Sequence, residues 1–221
     1  MTRAAGLDVG GTKILGVVVD DTGAVIQKRR IATPQGGDAI IGALASLARD
    51  LGPYDTLGVG IAGLVTRGGV LRASPNLAGS LDVPVGPALV EQLGHPVEVD
   101  NDATCAGLAE WRLGAARGHD HVVAVTLGTG VGGGIVLDGR LQRGVNGFAG
   151  EFGHMVVEAT GVECVCGQRG CWERYASGSA LQRMAGGRRG EDVVAAVRAG
   201  DAASAAVIDE FAHWVALGLA N

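Results

Sequence analysis

The feature that most constrains this chain is a short segment rich in potential metal ligands. Three of the four cysteines lie within eight residues, and a histidine precedes them by ten residues; the four side chains are His154, Cys164, Cys166 and Cys171. Three thiolates and one imidazole complete a tetrahedral zinc site and leave no position for a catalytic water. The segment therefore predicts a structural zinc ion and a loop whose path is set by the metal.

The cysteines have two other interpretations, and neither suits this segment. Cys164 and Cys166 are too close in sequence for a comfortable disulfide, and nothing suggests export to an oxidising compartment. Buried, reduced thiols are the second alternative, but a glycine-rich polar loop makes a poor core. His154 is the ligand with the weakest support, because a lone histidine is more often structural. Glu151 and Glu173 flank the segment, so a metal that orders the loop also sets the directions of these carboxylates.

The composition indicates a globular chain and argues against two classes of partner. The 221 residues are 47% hydrophobic and 19% charged, enough for one large core or two small ones. The net charge of −5 argues against a general nucleic-acid or membrane-surface binder. No apolar run approaches the ~20 residues of a membrane span, and Asp8 interrupts any signal peptide. We therefore expect a cytoplasmic protein with reduced thiols.

The amino-terminal residues predict two strands joined by a glycine-rich turn. The strands cover residues 4–9 and 14–19, and the turn has the sequence Gly10-Gly11-Thr12-Lys13. Glycines let backbone N–H groups face an anion, and Asp8 can hold Mg²⁺ through water. A P-loop is excluded, because its Lys and Thr would stand in the opposite order and a helix would follow. The turn is either a phosphate loop or an ordinary hairpin.

A second glycine-rich turn follows a predicted strand over residues 122–127. It begins with Gly128, Thr129 and Gly130, and its glycine spacing matches a dinucleotide-binding fingerprint. That fingerprint opens a helix, whereas the apolar residues 135–137 continue here as a strand. The two strand–turn–strand segments predict a duplicated hairpin unit, with one phosphate loop from each half of the chain facing a shared cleft.

The polar triplet Asp100-Asn101-Asp102 lies where a strand over residues 97–99 meets a helix over residues 103–113. Asn or Asp at such a position commonly caps the helix, and the segment alone favours this interpretation. In open α/β sheets, however, ligands collect beyond the carboxyl ends of strands. One of the three side chains is then available as a general base toward a bound hydroxyl.

Helical spacing of apolar residues predicts further helices over residues 38–50, 87–93, 179–184, 191–198 and 202–219. The polar loop over residues 74–77 contains Asn76. This residue is either a ligand contact or a turn residue, and turn chemistry alone favours the second.

Taken together, five of these segments resemble the ROK family (repressor, open reading frame, kinase) of sugar kinases and sugar-responsive repressors. They occur in the order of the family, at residues 8–13, 99–103, 127–134, 150–154 and 164–173. The resemblance implies an α/β protein with the actin-like, ribonuclease-H-like ATPase fold, in which two α/β domains surround a cleft that closes on sugar and ATP. Residues 1–115 would form the first domain and residues 116–221 the second.

The resemblance also implies a role for each motif residue. Asp102 would be the catalytic base, taking the proton from the sugar 6-hydroxyl as that oxygen attacks the γ-phosphoryl group. His154 would bind zinc through one ring nitrogen and sugar through the other. The implied sugar contacts are Gly63, Asn76, Asn101, Asp102, Glu151, His154 and Glu173.

The nucleotide side of the implied site consists of the two glycine-rich turns, and Asp8 would be the carboxylate on the Mg²⁺ side. The residues implied to bind the nucleotide are Asp8, Gly10, Gly11, Thr12, Lys13, Gly128, Thr129 and Gly130. Phosphoryl transfer needs little beyond positioning and charge neutralisation. The expected ligands are ATP, Mg²⁺, a structural zinc ion and a hexose. The expected assembly is a homodimer, and no nucleic-acid or membrane partner is expected.

Family members continue past the final helix with a glycine-rich segment that holds adenosine. We therefore expect the second domain of this chain to be incomplete and the chain to be a poor kinase. The expected activity is phosphorylation of a hexose at the 6-hydroxyl, with glucose as substrate. The near alternative is an N-acetylglucosamine or N-acetylmannosamine kinase. A sugar-sensing regulator would need a DNA-binding domain before the first turn, and a sugar-binding remnant without activity is the remaining alternative.

Overall fold

A computed structural model describes residues 2–221, which separate into two compact units. The first contains the chain up to Val122 together with Gly134–Ala149, and the second contains Val123–Gly133 and Gly150–Asn221. The predicted boundary at residues 115 and 116 differs from this division. The difference arises because the segment after Gly133 returns to the first unit, where Gly134 packs closely on Gly107 and Thr104.

The elements are numbered in chain order. The strands are β1 (Ala4–Val9), β2 (Lys13–Val19), β3 (Val25–Ala32), β4 (Thr56–Ile61), β5 (Leu64–Val65), β6 (Leu71–Ala73), β7 (Leu81–Val83), β8 (Val97–Asn101), β9 (Val122–Leu127), β10 (Val131–Leu137) and β11 (Arg140–Gln142). The α-helices are α1 (Gly37–Asp50), α2 (Val85–Leu93), α3 (Asp102–Leu113), α4 (Glu173–Ala176), α5 (Gly178–Met184), α6 (Gly190–Arg198) and α7 (Ala202–Ala220), and Phe152–His154 is a short 3-10 helix.

The first unit is built on a five-stranded sheet with the order β3-β2-β1-β4-β8. β1, β2 and β3 are antiparallel neighbours, whereas β4 runs parallel to both β1 and β8. This confirms the strand–turn–strand prediction for the first glycine-rich turn. The parallel strands end together at one edge, and polar residues follow at the end of β8.

Alternation along the strands sorts apolar and polar side chains onto opposite faces of this sheet. In β1, Leu7 and Val9 are buried and Asp8 between them is exposed. The buried face packs on α1 through residues such as Leu44, which is fully buried. The opposite face therefore carries Asp8 and is available for a functional role.

Two elements of the first unit differ from the predictions. The helix expected to start at Pro87 begins at Val85, because the first turn of a helix tolerates a residue without an N–H group. The glycine-rich segment that follows β4 forms a small antiparallel sheet of β5, β6 and β7, which the sequence did not indicate.

The second unit places the cysteine-rich segment against the carboxy-terminal helix. Trp172, which follows Cys171, is 1% exposed, and its Nε1 donates a hydrogen bond to the Trp214 carbonyl oxygen at 2.7 Å. The Tyr175 ring stacks on Trp214 with ring centroids 4.3 Å apart. Trp214 and Val215 of α7 pack on the buried cluster around Trp172, so this part of α7 faces the core of the second unit.

Helix α7 is also long and apolar enough to cross a membrane, judged by length and composition only. It has 19 residues, and its most apolar window has a mean hydropathy of 1.2 with 11% of that window buried. The sequence shows no uninterrupted apolar run here, because Asp209 and Glu210 lie within the helix. A single helix of this length and composition is weak support for a membrane span, because core helices of globular proteins have the same length and composition.

The close approach of α7 to the cysteine-rich segment requires a glycine. A Cβ at Gly218 would overlap the Trp172 ring, and Trp172 is too enclosed to move away. We expect Gly218→Ala to lower the free energy of unfolding by about 1–3 kcal/mol, because the added methyl group overpacks this contact.

Urea denaturation followed by circular dichroism measures this effect. The matched control is Gly42→Ala on α1, where no atom lies within 4 Å of an added Cβ. The control should leave the stability unchanged or raise it by up to about 1 kcal/mol, since Ala is the better helix former. Equal stabilities of the Gly218 variant and the parent would contradict the packing argument.

Candidate functional site

The strand–helix junction at Asn101 and Asp102 divides two tasks between neighbouring side chains. Asn101 has an extended backbone, and its Oδ1 accepts the Thr104 N–H at 2.9 Å, so it is the helix cap. Its Nδ2 donates to the Gly63 carbonyl oxygen at 3.1 Å, which fixes the amide at both ends. Asp102 is the first helical residue and borders an open groove. The cap is therefore Asn101, and Asp102 is left available for chemistry.

The groove next to Asp102 lies within the first unit and has a volume of about 980 Å³. Asp8, Gly60 and Asp100 are register partners across β1, β4 and β8, so they form one row on the sheet face that borders it. Because Gly60 has no side chain, the space between the two carboxylates stays open, and Asp102 lies directly above Gly60. The groove thus brings three carboxylates to the carboxyl end of parallel strands.

Arg143 and Arg67 bring positive charge to this acidic groove, and Arg143 pairs with Asp100. Its Nε donates to Asp100 Oδ2 at 2.6 Å, and the other oxygen of Asp100 accepts the Asn101 N–H at 2.9 Å. Charge-assisted bonds of this kind are short and strong. The pair holds the strand end from which Asp102 projects. Sequence reasoning missed Arg143, because it stands in no recognisable motif and meets Asp100 only in the folded unit.

The environment of Asp102 favours its protonated form. Burial raises the pKa of this carboxyl, a hydrogen bond from the Ala103 N–H partly opposes the rise, and the negative charge of Asp8 adds to it. A raised carboxyl pKa is a property of general bases that work near neutral pH. Burial and the charges of Asp100 and Asp102 raise the pKa of the nearby Cys105 thiol to about 11, so Cys105 stays a neutral thiol.

The first glycine-rich turn leaves two backbone donors available. The Gly10 N–H bonds to the Lys13 carbonyl at 3.1 Å, and Thr33 Oγ1 donates to the Gly10 carbonyl at 2.7 Å. Within residues 2–221, the N–H groups of Gly11 and Thr12 have no acceptor. A Cβ on Gly11 would lie 2.7 Å from the Asn76 carbonyl oxygen, so Asn76 lies against this turn and only glycine fits. Such unpaired N–H groups suit an anion.

The second glycine-rich turn, in the second unit, is similar. The Gly128 N–H bonds to the Gly130 carbonyl at 2.9 Å, and the N–H groups of Thr129 and Gly130 have no acceptor in the described part of the chain. The Val131 N–H donates to Glu173 Oε2 at 3.0 Å, which places a predicted sugar contact against this turn. A cavity of about 740 Å³ opens beside the turn, between it and helices α5 and α6.

The four predicted metal ligands converge on one point of the second unit. The ligand atoms of His154, Cys164, Cys166 and Cys171 all lie within 4.8 Å of one another. Cys166 and Cys171 sulfurs are 3.5 Å apart, and the Cys164 sulfur is 3.6 Å from His154 Nδ1. A tetrahedral zinc site has S···S separations of about 3.8 Å and S···N separations of about 3.6 Å, from bond lengths of about 2.3 and 2.1 Å. The donor set therefore fits a tetrahedral metal.

His154 presents its two ring nitrogens to different partners. Nδ1 faces the Cys164 sulfur, whereas Nε2 lies 3.8 Å from Glu151 Oε2. A metal-bound imidazole normally gives its second nitrogen to a carboxylate or another polar group. The arrangement leaves the Nε2 side of the ring beside a carboxylate and away from the sulfurs, as the double role expected of His154 requires.

The geometry sorts the predicted site residues by unit. Asp8, the turn at residues 10–13, Gly63, Asn76, Asn101 and Asp102 belong to the first unit. The turn at residues 128–130, Glu151, His154, Glu173 and the three cysteine ligands belong to the second. None of the four cysteines is paired in a disulfide in this structure.

Comparison with known proteins decides the family. The model of the ROK family matches residues 4–221. The chain belongs to the ROK family. Its motifs at residues 8–173 are thus family motifs, as the sequence indicated.

Two relatives and one solved structure are similar to nearly the whole of this chain. A glucokinase of Streptomyces coelicolor is 36% identical, over 100% of this chain and 78% of its own length. An N-acetylmannosamine kinase of Yersinia pseudotuberculosis is 35% identical, with the same two coverages. The crystal structure of a ROK glucokinase from Streptomyces griseus with glucose and AMPPNP superposes with a TM-score of 0.88 at 36% identity, covering 99% of this chain and 78% of that one. The predicted actin-like α/β fold is confirmed.

The raised pKa of Asp102 predicts a stability effect with a definite sign. A carboxyl whose pKa is higher in the folded state destabilises that state as pH rises past its unfolded value of about 3.9. We therefore expect Asp102→Asn to be more stable than the parent at pH 7 and equal to it at pH 3, where both side chains are neutral. The matched control is Asp21→Asn, which removes an exposed carboxylate in the turn after β2.

Thermal unfolding at both pH values measures the difference. A melting temperature of Asp102→Asn that falls below the parent at pH 7 would show that the carboxylate stabilises the fold, contrary to this expectation.

Proposed function

We propose that this ROK protein is an ATP-dependent hexose kinase that phosphorylates glucose at the 6-hydroxyl. The observation that carries the proposal is Asp102: a half-buried carboxyl of raised pKa, at the end of a parallel strand, on a groove shared with Asp8. The relatives that are glucokinases support glucose as the sugar. ROK kinases need little more than a base, two phosphate-binding turns and a bound sugar, and each of these has a candidate here.

In this proposal Asp102 accepts the proton of the 6-hydroxyl while that oxygen attacks the γ-phosphorus of ATP. The bond between the γ-phosphorus and the bridging oxygen breaks, and ADP leaves with the electron pair. Asp8 would hold the Mg²⁺ ion, and the ion would supply positive charge that neutralises the phosphates. The unpaired N–H groups of the two glycine-rich turns bind phosphate oxygens, and the cavity beside the second turn has a size suited to a nucleotide.

Sugar recognition is assigned to polar groups whose placement supports it. Glu151 and His154 lie side by side, so the pair can accept from and donate to neighbouring hydroxyls. Glu173 uses one oxygen on Val131 and keeps the other for a hydroxyl. Asn101 is held at both ends, so it is a rigid contact, and Asn76 and Gly63 complete the assignment.

The principal alternative is an N-acetylhexosamine kinase, supported by the Yersinia pseudotuberculosis relative. The same polar residues bind hydroxyls in either sugar, so they do not discriminate. A sugar-binding protein without activity is the third possibility, and it predicts binding without turnover.

The test is ADP release with ATP and a panel of glucose, mannose, N-acetylglucosamine and N-acetylmannosamine. We expect the highest kcat/KM with glucose. Asp102→Asn should lower kcat by about 10²–10⁴-fold and leave the glucose Kd within a few-fold, because an amide still bonds to the hydroxyl but does not take its proton. Turnover of the variant close to that of the parent would return Asp102 to a structural role.

Other outcomes of the panel decide between the alternatives. Preference for N-acetylmannosamine or N-acetylglucosamine would replace glucose as substrate. Glucose binding with no turnover by the parent would leave a sugar-binding protein.

We propose further that His154, Cys164, Cys166 and Cys171 hold one structural zinc ion. The support is the convergence of the four ligand atoms within 4.8 Å of one another, with no disulfide among the cysteines to compete with metal binding. Burial and the neighbouring thiols raise the pKa of Cys171 to about 12 in the absence of a cation, and a divalent cation reverses this by stabilising thiolates. Such a site contributes folding energy outright.

Metal analysis of the purified chain should give about one zinc per chain. Removal of zinc by a chelator should raise the exposure of Trp172 and Trp214, because the segment that carries Trp172 packs on α7. Tryptophan fluorescence should therefore shift to longer wavelength, and added zinc should restore it. A zinc-free protein with an unchanged spectrum and unchanged sugar affinity would argue against a structural metal.

A further inference from the structure

The second glycine-rich turn is attached to the helices that follow the cysteine-rich segment at three successive points. The Gly178 N–H donates to the Gly128 carbonyl at 2.7 Å, and the Ser179 hydroxyl donates to the Thr129 carbonyl at 2.8 Å. The Val131 N–H donates to Glu173 Oε2 at 3.0 Å. All six residues lie in the second unit; Glu173 begins α4, and Gly178 and Ser179 begin α5.

These attachments set which backbone groups of the turn face outward. The carbonyls of Gly128 and Thr129 are both used toward α5, so the intervening peptide planes are fixed. The N–H groups of Thr129 and Gly130 remain without acceptors among residues 2–221. Successive free N–H groups on a fixed backbone form an anion-binding concavity. If the peptide planes of the turn were free to rotate, carbonyl oxygens would also point to the side of the free N–H groups. Those oxygens would repel an anion, and the concavity would be lost.

Steric fit shows that the attachment is close. A Cβ on Gly130 would overlap Glu173 Oε2, and a Cβ on Gly178 would lie 2.9 Å from the Gly128 carbonyl oxygen. Glycine at these two positions therefore has a packing reason apart from any ligand. The turn therefore packs closely on the first residues of α4 and α5.

We infer that Ser179 and Glu173 are positioning residues for the phosphate-binding turn, so that Glu173 serves the nucleotide side of the site as well as the sugar side. The inference rests on the proposed kinase function for the identity of the anion, a nucleoside triphosphate. Glu173 sits two residues after Cys171, so the metal cluster, the sugar contact and the turn are joined through one short segment.

At each of the two residues, one variant removes the hydrogen bond to the turn and a second variant keeps it. Ser179→Ala removes the bond to Thr129, and Ser179→Thr keeps a hydroxyl. Glu173→Ala removes the bond to Val131, whereas Glu173→Gln keeps an oxygen that accepts it. If Glu173 were a sugar contact alone, none of its variants would change nucleotide affinity in the absence of sugar.

The first measurement is the Kd of AMPPNP with Mg²⁺ and without sugar, by calorimetry. We expect Ser179→Ala and Glu173→Ala to weaken binding by about three- to tenfold each, the range set by loss of one hydrogen bond. Ser179→Thr and Glu173→Gln should stay within twofold of the parent. The matched control is Ser46→Ala on α1, an exposed serine of the first unit.

The second measurement is amide hydrogen exchange of residues 128–131 without any ligand. The informative amide is Gly128, which bonds to the Gly130 carbonyl within the turn and to neither substituted residue. Ser179→Ala and Glu173→Ala should speed its exchange by about three- to tenfold and leave the cysteine-rich segment unchanged. Unchanged exchange and unchanged AMPPNP affinity in both alanine variants would overturn the inference. If the parent binds no AMPPNP, the nucleotide part of the proposed function fails, and hydrogen exchange alone decides whether the two residues position the turn.

Discussion

The convergence of one imidazole and three thiols within 4.8 Å is the constraint on which the second unit depends. These four groups lie on an irregular segment that is held by turn hydrogen bonds and two isolated bridges and not by a continuous helix or sheet, so a bound metal would tie its separate turns together. Trp172 and Glu173 follow the last ligand directly. One is buried against α7 and the other reaches the second glycine-rich turn, so the position of the cluster fixes a core residue and a site residue together.

The first unit depends on a different constraint, which is the common end of its parallel strands. β1, β4 and β8 run in one direction, so Asp8 and Asp100 arrive in the same row, with Gly60 between them. Three carboxylates close together repel one another, and the ion pair of Arg143 with Asp100 offsets part of that repulsion. Asp102 keeps a raised pKa as a result of burial and of its acidic neighbour Asp8. Asp102 is thus the one carboxyl of the three that also lies at a helix start.

In both units of this ROK protein, neighbouring polar groups have different partners. Asn101 caps α3, which confirms the structural interpretation of the triplet, and the cap leaves the Asp102 side chain available for the proposed chemistry. His154 turns one nitrogen to the thiols and the other to Glu151. Glu173 likewise uses one oxygen on a backbone N–H. Sites of this kind are rigid because each polar side chain is already oriented by a partner.

The sequence by itself predicted the grouping of one histidine with three cysteines, the two glycine-rich turns, most helix and strand positions and the family, because each depends on local spacing. Only the tertiary structure decided the rest. Arg143 meets Asp100 across 43 positions and Ser179 meets Thr129 across 50, and no local pattern marks such pairs. The return of Gly134–Ala149 to the first unit and the choice of Asn101 as cap are of the same kind. The physical reason is that strand register and helix packing, which sequence periodicity leaves open, set which distant groups come within hydrogen-bond distance.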